Sequence, residues 1–233
     1  MRPVERGRTP TDAKGRPKRF KAYADARADL IARLGEFCSY CEMHLDADLA
    51  VEHVQPKAHH PNLALSWDNF LLACRICNST KGQEDVGPGH CYWPDADNTS
   101  RALDYLEGGR VVVSRFLQDD AERQARAQRT IALTGLDKRP WDDPQARDRR
   151  WNNRREAWDQ ATRALQRLGP NDTSAFREQI VDTAINKGFW SVWMTVFRGD
   201  HDMQRRLLHR FQGTALDCFG SDRQRVRRAG SDL

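Results

Sequence analysis

Apolar residues recur at helical spacing through the second half of the chain and are nearly missing from its start. Residues 1–19 mix Arg, Lys, Pro, Gly and Thr with almost no apolar content, which predicts a mobile basic arm. Over 20–34, Tyr23, Leu30, Ile31 and Leu34 stand among alanines, which predicts a helix stopped by Gly35. The stretch 49–54 reads as a short strand and 56–61, bounded by Pro56 and Pro61, as a loop. The β-branched run Val111-Val112-Val113 after Glu107-Gly108-Gly109 predicts a hairpin. Beyond Asp119 the periodicity is helical, over 121–133 before Gly135, 145–168 before Gly169-Pro170, and 174–187 before Gly188. Trp151, Trp158 and Leu165 repeat at seven-residue intervals and predict one apolar stripe along the second of these helices. Trp151, Trp158, Phe189, Trp190, Trp193 and Phe197 fall beside leucines and valines and are expected in the core.

Composition narrows the class. The chain has 233 residues, 39% of them hydrophobic and 30% charged, enough for a core under a strongly polar surface. No apolar run approaches the roughly 20 residues that span a bilayer, and the basic start leads into no signal-peptide core of roughly 7–15 apolar residues. A soluble, cytoplasmic protein without a membrane partner is the expectation. The net charge of +5 hides an asymmetry: residues 1–34 carry ten basic and four acidic side chains, whereas 35–100 carry three and ten. Residues 101–170 carry fifteen and eleven, and 171–233 carry ten and eight. The central stretch is therefore net −7, so attraction for a polyanion must come from its flanks or from bound divalent metal.

Four of the six cysteines carry the chemistry. Cys38-Ser39-Tyr40-Cys41 and Cys74-Arg75-Ile76-Cys77 are two C-x2-C pairs, and each such knuckle turns tightly enough to aim both sulfurs at one point. Four thiolates would close a tetrahedral Zn2+ site with no open position, hence a structural one. Cys91 and Cys218 lie outside the pairs and are expected as buried or free thiols. Between the knuckles lie Glu52-His53-Val54-Gln55-Pro56-Lys57 and Trp67-Asp68-Asn69, and Asn78-Ser79-Thr80-Lys81-Gly82 follows the last cysteine.

This ordered set resembles the HNH (ββα-metal) endonucleases framed by zinc knuckles, in the HNN variant, over roughly residues 37–82. The resemblance implies an α+β fold: a zinc-knuckle ββα module over 35–100, preceded by a basic arm and helix over 1–34 and followed by a hairpin and a mainly helical region over 101–233. It implies a phosphodiester hydrolase in which His53 takes the proton from water, Glu52 and Asn78 hold a catalytic Mg2+ or Mn2+, and Asn69 bonds the backbone near His53. Oxygen ligands of this kind suit those hard ions. The chain has Glu52 where Asp is commoner and Asn78 where His is commoner.

The wording around the motif is similar to the stand-alone HNH effectors of bacterial anti-phage systems of the Septu type, which act beside an ATPase partner. That implies DNA and a partner ATPase as binding partners. The chain holds no P-loop run of its own. Lys81, on the helix after the knuckle, and Arg147, Arg150 and Arg154, on one side of the long helix, are candidate phosphate contacts. Two other functions use the same residues: a non-catalytic zinc module that binds nucleic acid or protein, and an HNH-type nuclease acting on RNA. His44, His59, His60 and His90 are expected as loop or surface residues, and Glu-His in a strand or Asn after a knuckle also occurs as ordinary surface and helix cap.

Overall fold

In the computed structural model, which describes residues 1–142, 145 and 147–233, the chain is built around two small antiparallel hairpins. In the first, β1 (Leu49–His53) pairs with β2 (Phe70–Cys74), with Glu52 opposite Leu71 and His53 opposite Phe70. The helix α2 (Arg75–Lys81) starts directly on β2, and Cys74 caps it by accepting from the Cys77 N–H. This β–β–α unit has α1 (Arg27–Leu34) packed against it through the buried Leu30 and Leu34. A 3-10 turn, Tyr23–Ala26, leads into α1, so the expected helix begins later than its apolar pattern.

A short α3 (Thr99–Ala102) enters the second hairpin, β3 (Leu103–Leu106) with β4 (Arg110–Val113). Its turn needs Gly109, where φ is +73°: a Cβ there would lie 2.8 Å from the Arg155 nitrogen, so the hairpin rests on bare helix backbone. That backbone belongs to α5 (Arg150–Leu168). The expected helix over 145–168 includes residue 146, which lies outside the described residues. Against α5 pack α6 (Ser174–Lys187) and α7 (Trp190–Val196), α8 (His201–Arg210) packs on those two, and α4 (Ala121–Thr134) packs on α2 and β4. Phe189, Trp190, Trp193 and Phe197 are fully buried there. No helix among the described residues is long and apolar enough to cross a membrane.

Three expectations are corrected. Along α5 the buried face is Arg150, Arg154, Ala157, Ala161 and Leu168, not the Trp151, Trp158 and Leu165 stripe: the two tryptophans are half-buried and Leu165 is exposed. The alanines face the packed helices, and the arginines reach the carbonyls of Gly109, Thr134, Gly135 and Leu136. Second, Arg150 and Arg154 are 2% and 1% exposed, so neither can line a phosphate track; Arg147 is exposed. Third, the start of the chain is no free tail. Arg2 is buried and donates to the carbonyls of Leu34, Phe211 and Gln212 and to Thr214 Oγ1, while Arg6 donates to the carbonyls of Asp68 and Phe70. Segments poor in apolar side chains still anchor when guanidinium groups meet several unpaired carbonyls at once.

Glu42, one residue past the first knuckle, ties that knuckle to the helical region. Its buried carboxylate accepts from the Ser191 N–H at 2.7 Å, Ser191 Oγ at 2.6 Å and Tyr105 Oη at 3.1 Å. The approach is close enough that a Cβ on Gly188 would sit 2.5 Å from the Glu42 carbonyl.

Candidate functional site

The two knuckles bring Cys38, Cys41, Cys74 and Cys77 together, all buried, with their sulfurs within 4.8 Å of one another. Zinc–sulfur bonds of about 2.3 Å in a tetrahedron place sulfurs about 3.8 Å apart. The Cys41 and Cys74 sulfurs are 3.8 Å apart, so the donor set fits zinc in both chemistry and spacing. Burial pushes the Cys38 thiol well above its ordinary range, and contact with the Cys38 sulfur does most to raise Cys41. Four thiolates can therefore converge here only around a cation. Arg150 adds a second layer: its Nη1 donates to Cys77 Sγ at 3.0 Å and to the Thr134 carbonyl at 2.7 Å, and Asp148 holds its other edge. Such donors offset charge on metal-bound sulfur and fix its orientation. Cys91 and Cys218 are buried and free, apart from this cluster.

β1 ends on the candidate catalytic pair. Neighbours on a strand point to opposite faces, and the contacts divide accordingly. Toward α2, Glu52 is 3% exposed, and its Oε1 meets Lys81 Nζ at 2.9 Å and Tyr40 Oη at 3.5 Å. On the other face, His53 packs its ring edge-on to Phe70 and Tyr23, with centroids 5.3 and 5.1 Å away. His53 Nε2 is 3.0 Å from the Ala64 carbonyl. A carbonyl only accepts, so Nε2 carries the hydrogen and Nδ1 is left as the basic nitrogen. Burial holds the His53 pKa below its ordinary value, and Lys57 and Lys81 push the same way, so the ring is neutral at neutral pH.

Asn69 precedes β2 and clamps the chain just past His53. Its Oδ1 accepts from the Gln55 N–H at 2.7 Å, its Nδ2 donates to the Gln55 carbonyl at 2.9 Å, and its own carbonyl accepts from the Val54 N–H. Asn78 is half-buried on α2, one turn before Lys81 and on the same side of the helix. Lys81, expected on phosphate, is 2% exposed and spends its ammonium on Glu52 and, at 2.8 Å, on the His53 carbonyl. The contact with Lys81 is to Oε1, while Oε2 has no protein partner among the described residues and is the oxygen Glu52 has left for a divalent ion. Among the described residues the four cysteines alone form a cluster of His, Cys, Asp or Glu close enough to share an ion.

Two contributors lay outside the sequence reading. Tyr23, placed there only as an apolar helix residue, covers the His53 ring, and Lys57 stands over Tyr23 with Nζ 4.3 Å from the ring centre. Arg6 holds the carbonyls at the mouth of β2 and pairs with Asp95. Neither has a local sequence signal, because both come from the N-terminal segment across the fold. His60 pairs with Asp85 on the surface.

The comparisons agree with this geometry. The family model described as HNH endonuclease matches residues 38–84. The Septu protein PtuB of Bacillus thuringiensis is 45% identical over 69 residues, which are 28% of this chain and 27% of that relative. The chain thus spans only about a quarter of the length of the curated relative it matches. The matched stretch holds both knuckles, the first hairpin and α2, and the chain carries an HNH endonuclease domain over residues 38–84.

Proposed function

We propose that the chain is a nuclease that hydrolyses DNA phosphodiester bonds as the effector of a bacterial anti-phage system. The observation that carries the chemistry is His53: a neutral imidazole, tautomer fixed by the Ala64 carbonyl, on a backbone held by Asn69. Nδ1 takes a proton from water as the water oxygen bonds to phosphorus; the bond from phosphorus to the 3′ oxygen breaks, and that oxygen is protonated from solvent. A base so placed contributes about 10²–10⁴-fold to rate. The zinc cluster keeps β2 and α2 in register and takes no part in the step. Lys57, exposed above Tyr23, is the cation nearest His53 with access to a substrate phosphate. The Septu relative supports the defence role, and an ATPase partner would supply the nucleotide sensing for which this sequence has no P-loop.

The test is cleavage of supercoiled plasmid and of single-stranded RNA by the zinc-loaded full chain, with Mg2+, Mn2+ or a chelator. Plasmid cutting by wild type, with His53→Ala slower by about 10²–10⁴-fold at unchanged zinc content, is the expected result. RNA cut in place of plasmid would change the substrate. Neither cut under any condition, with or without the partner ATPase, would leave a binding module.

A further inference from the structure

The apolar face of α8 holds one polar side chain, Gln204, between Met203 and Leu207. It is 8% exposed, and its amide bonds to no other side chain or backbone group among the described residues. A buried amide left in that state costs about 1–3 kcal/mol unless a ligand or solvent reaches it. The amide is not shut against its apolar neighbours: Gln204 lines a cavity of about 340 Å³, and neither of its polar atoms is sealed from it. The walls come from β3, α7, α8 and residues 219–225. Small-molecule sites run from roughly 300 to 1,000 Å³, so a compact ligand fits.

The lining divides by chemistry. Beside Gln204 it is apolar and aromatic, with Leu103, Met194, Trp190 and Phe219, the last two edge to face at 5.8 Å. Its charged members are four arginines, Arg115, Arg198, Arg223 and Arg225, against one carboxylate, Asp104. That carboxylate is already committed: Oδ1 accepts from Arg225 Nη1 and Oδ2 from the Arg115 N–H, both at 3.0 Å. The guanidinium groups of Arg115 and Arg198 are exposed and have no hydrogen-bond or ion-pair partner among the described residues. Phe116, an exposed ring on the same lining, lies under the Arg225 guanidinium at 5.7 Å.

A ligand that uses all of this is a planar ring with an anion attached. An amide pairs with a ring edge that sets an acceptor beside a donor, which adenine presents in N7 and its N6 amino group. Aromatic walls take the flat faces of such a ring, and unpaired guanidinium groups take phosphate. A bare anion would leave Gln204 unpaired, and an apolar ligand would leave the arginines unused. We infer that this cavity binds an adenine nucleotide, with the base on Gln204 and the phosphate on Arg115 and Arg198. The site is separate from the HNH residues and does not depend on His53. Two of its walls, Tyr105 and Ser191, give their hydroxyls to Glu42, so it backs onto the tether between the first knuckle and the helical region.

Isothermal titration calorimetry on the full-length, zinc-loaded chain, without added divalent metal, tests this with adenosine 5′-monophosphate (AMP), adenosine, inorganic phosphate and a short oligo-dA strand. AMP should bind one per chain, about tenfold or more tighter than adenosine or phosphate alone, because only AMP reaches both ends of the cavity. Replacing Arg115 and Arg198 together with Gln should weaken AMP about tenfold and leave adenosine within about twofold. Gln204→Leu should weaken AMP and adenosine by the same factor, about fivefold or more, and leave phosphate alone. Three results would overturn the inference. One is no saturable AMP binding in the millimolar range; another is phosphate binding as tightly as AMP with Gln204→Leu silent, which leaves an anion site only. The third is oligo-dA binding more tightly than AMP and lost in the same variants, which makes the cavity a strand contact. Should Gln204→Leu fail to fold, the exposed arginine pair decides, and unchanged AMP affinity there overturns the assignment.

Discussion

A histidine works as a base only while unprotonated, so the environment of His53 sets the acid side of the pH profile. Burial lowers its pKa from the ordinary 6.5, and Lys57 and Lys81 lower it further, while the Ala64 carbonyl raises it. The rate should therefore rise with pH through a midpoint below 6.5 and be flat at neutral pH. Removing the exposed cation with Lys57→Gln should move that midpoint upward, and a profile of kcat/KM against pH reads both. A midpoint above 6.5 in wild type would mean that another group, not His53, carries the proton. The same shift has a stability consequence with a definite sign. The folded protein binds the His53 proton more weakly than the unfolded chain, so this contribution is complete above the unfolded-state pKa and fades as pH falls toward the lower folded one. Asn69 should matter through position alone: Asn69→Ala leaves the Gln55 N–H and carbonyl unpaired and should lower kcat while zinc content stays at the wild-type value.

The long helix α5 shows how an element can carry charge inward. Arg150→Ala would strip partners from Cys77 Sγ, Thr134, Gly135 and Asp148 at one stroke. Breaking a buried pair of this kind costs about 3–5 kcal/mol, so urea unfolding should show a large loss and a chromophoric chelator should extract zinc faster. Arg147→Ala, on the exposed side, should change stability by less than about 0.5 kcal/mol. Equal effects of the two would return Arg150 to the surface where the sequence alone had placed it. The contrast also marks where sequence reading stops. The knuckles, the β1 strand, the Gly108-Gly109 hairpin and the helices α4 and α6 were legible, because spacing and turn chemistry are local. Arg150 and Arg154 sit at i and i+4, a spacing shared by solvated and buried faces alike. Their burial is decided by acceptors on Gly109, Thr134, Gly135 and Leu136, and no local pattern reports on carbonyls brought in from other segments. Lys81 was misread for the same reason: a lysine after a knuckle looks like a phosphate contact until Glu52 is folded against it. The helix α8 carries mostly charged side chains over Met203, Leu207 and Leu208, too sparse a stripe to stand out.

Charge is partitioned across the whole molecule, and the fold removes much of the basic surface that composition suggested. Of the arginines and lysines in residues 1–21, Arg2 is buried on carbonyls, Arg6 pairs with Asp95, Arg16 with Asp12 and Lys18 with Asp29. Arg8, Lys14, Arg19 and Lys21 stay exposed without an ion-pair partner among the described residues. If duplex DNA is drawn to this protein past its net −7 centre, these four are the side chains of the N-terminal segment free to displace counterions. Each phosphate neutralised contributes about 0.9 to the slope of log affinity against log salt. Replacing all four with Gln should therefore flatten the slope by up to about 3.6, with unchanged unfolding behaviour and the same choice of cleavage sites, since phosphate contacts position a protein without reading bases. Arg2→Ala should do the opposite, lowering stability by leaving the Leu34 and Gln212 carbonyls without the guanidinium that pairs them while the slope stays put. Fluorescence anisotropy of a labelled duplex across a salt series, on catalytically dead His53→Ala protein, measures both. A four-fold Gln variant with the wild-type slope would show that DNA is held elsewhere, by the helical region or by a partner protein.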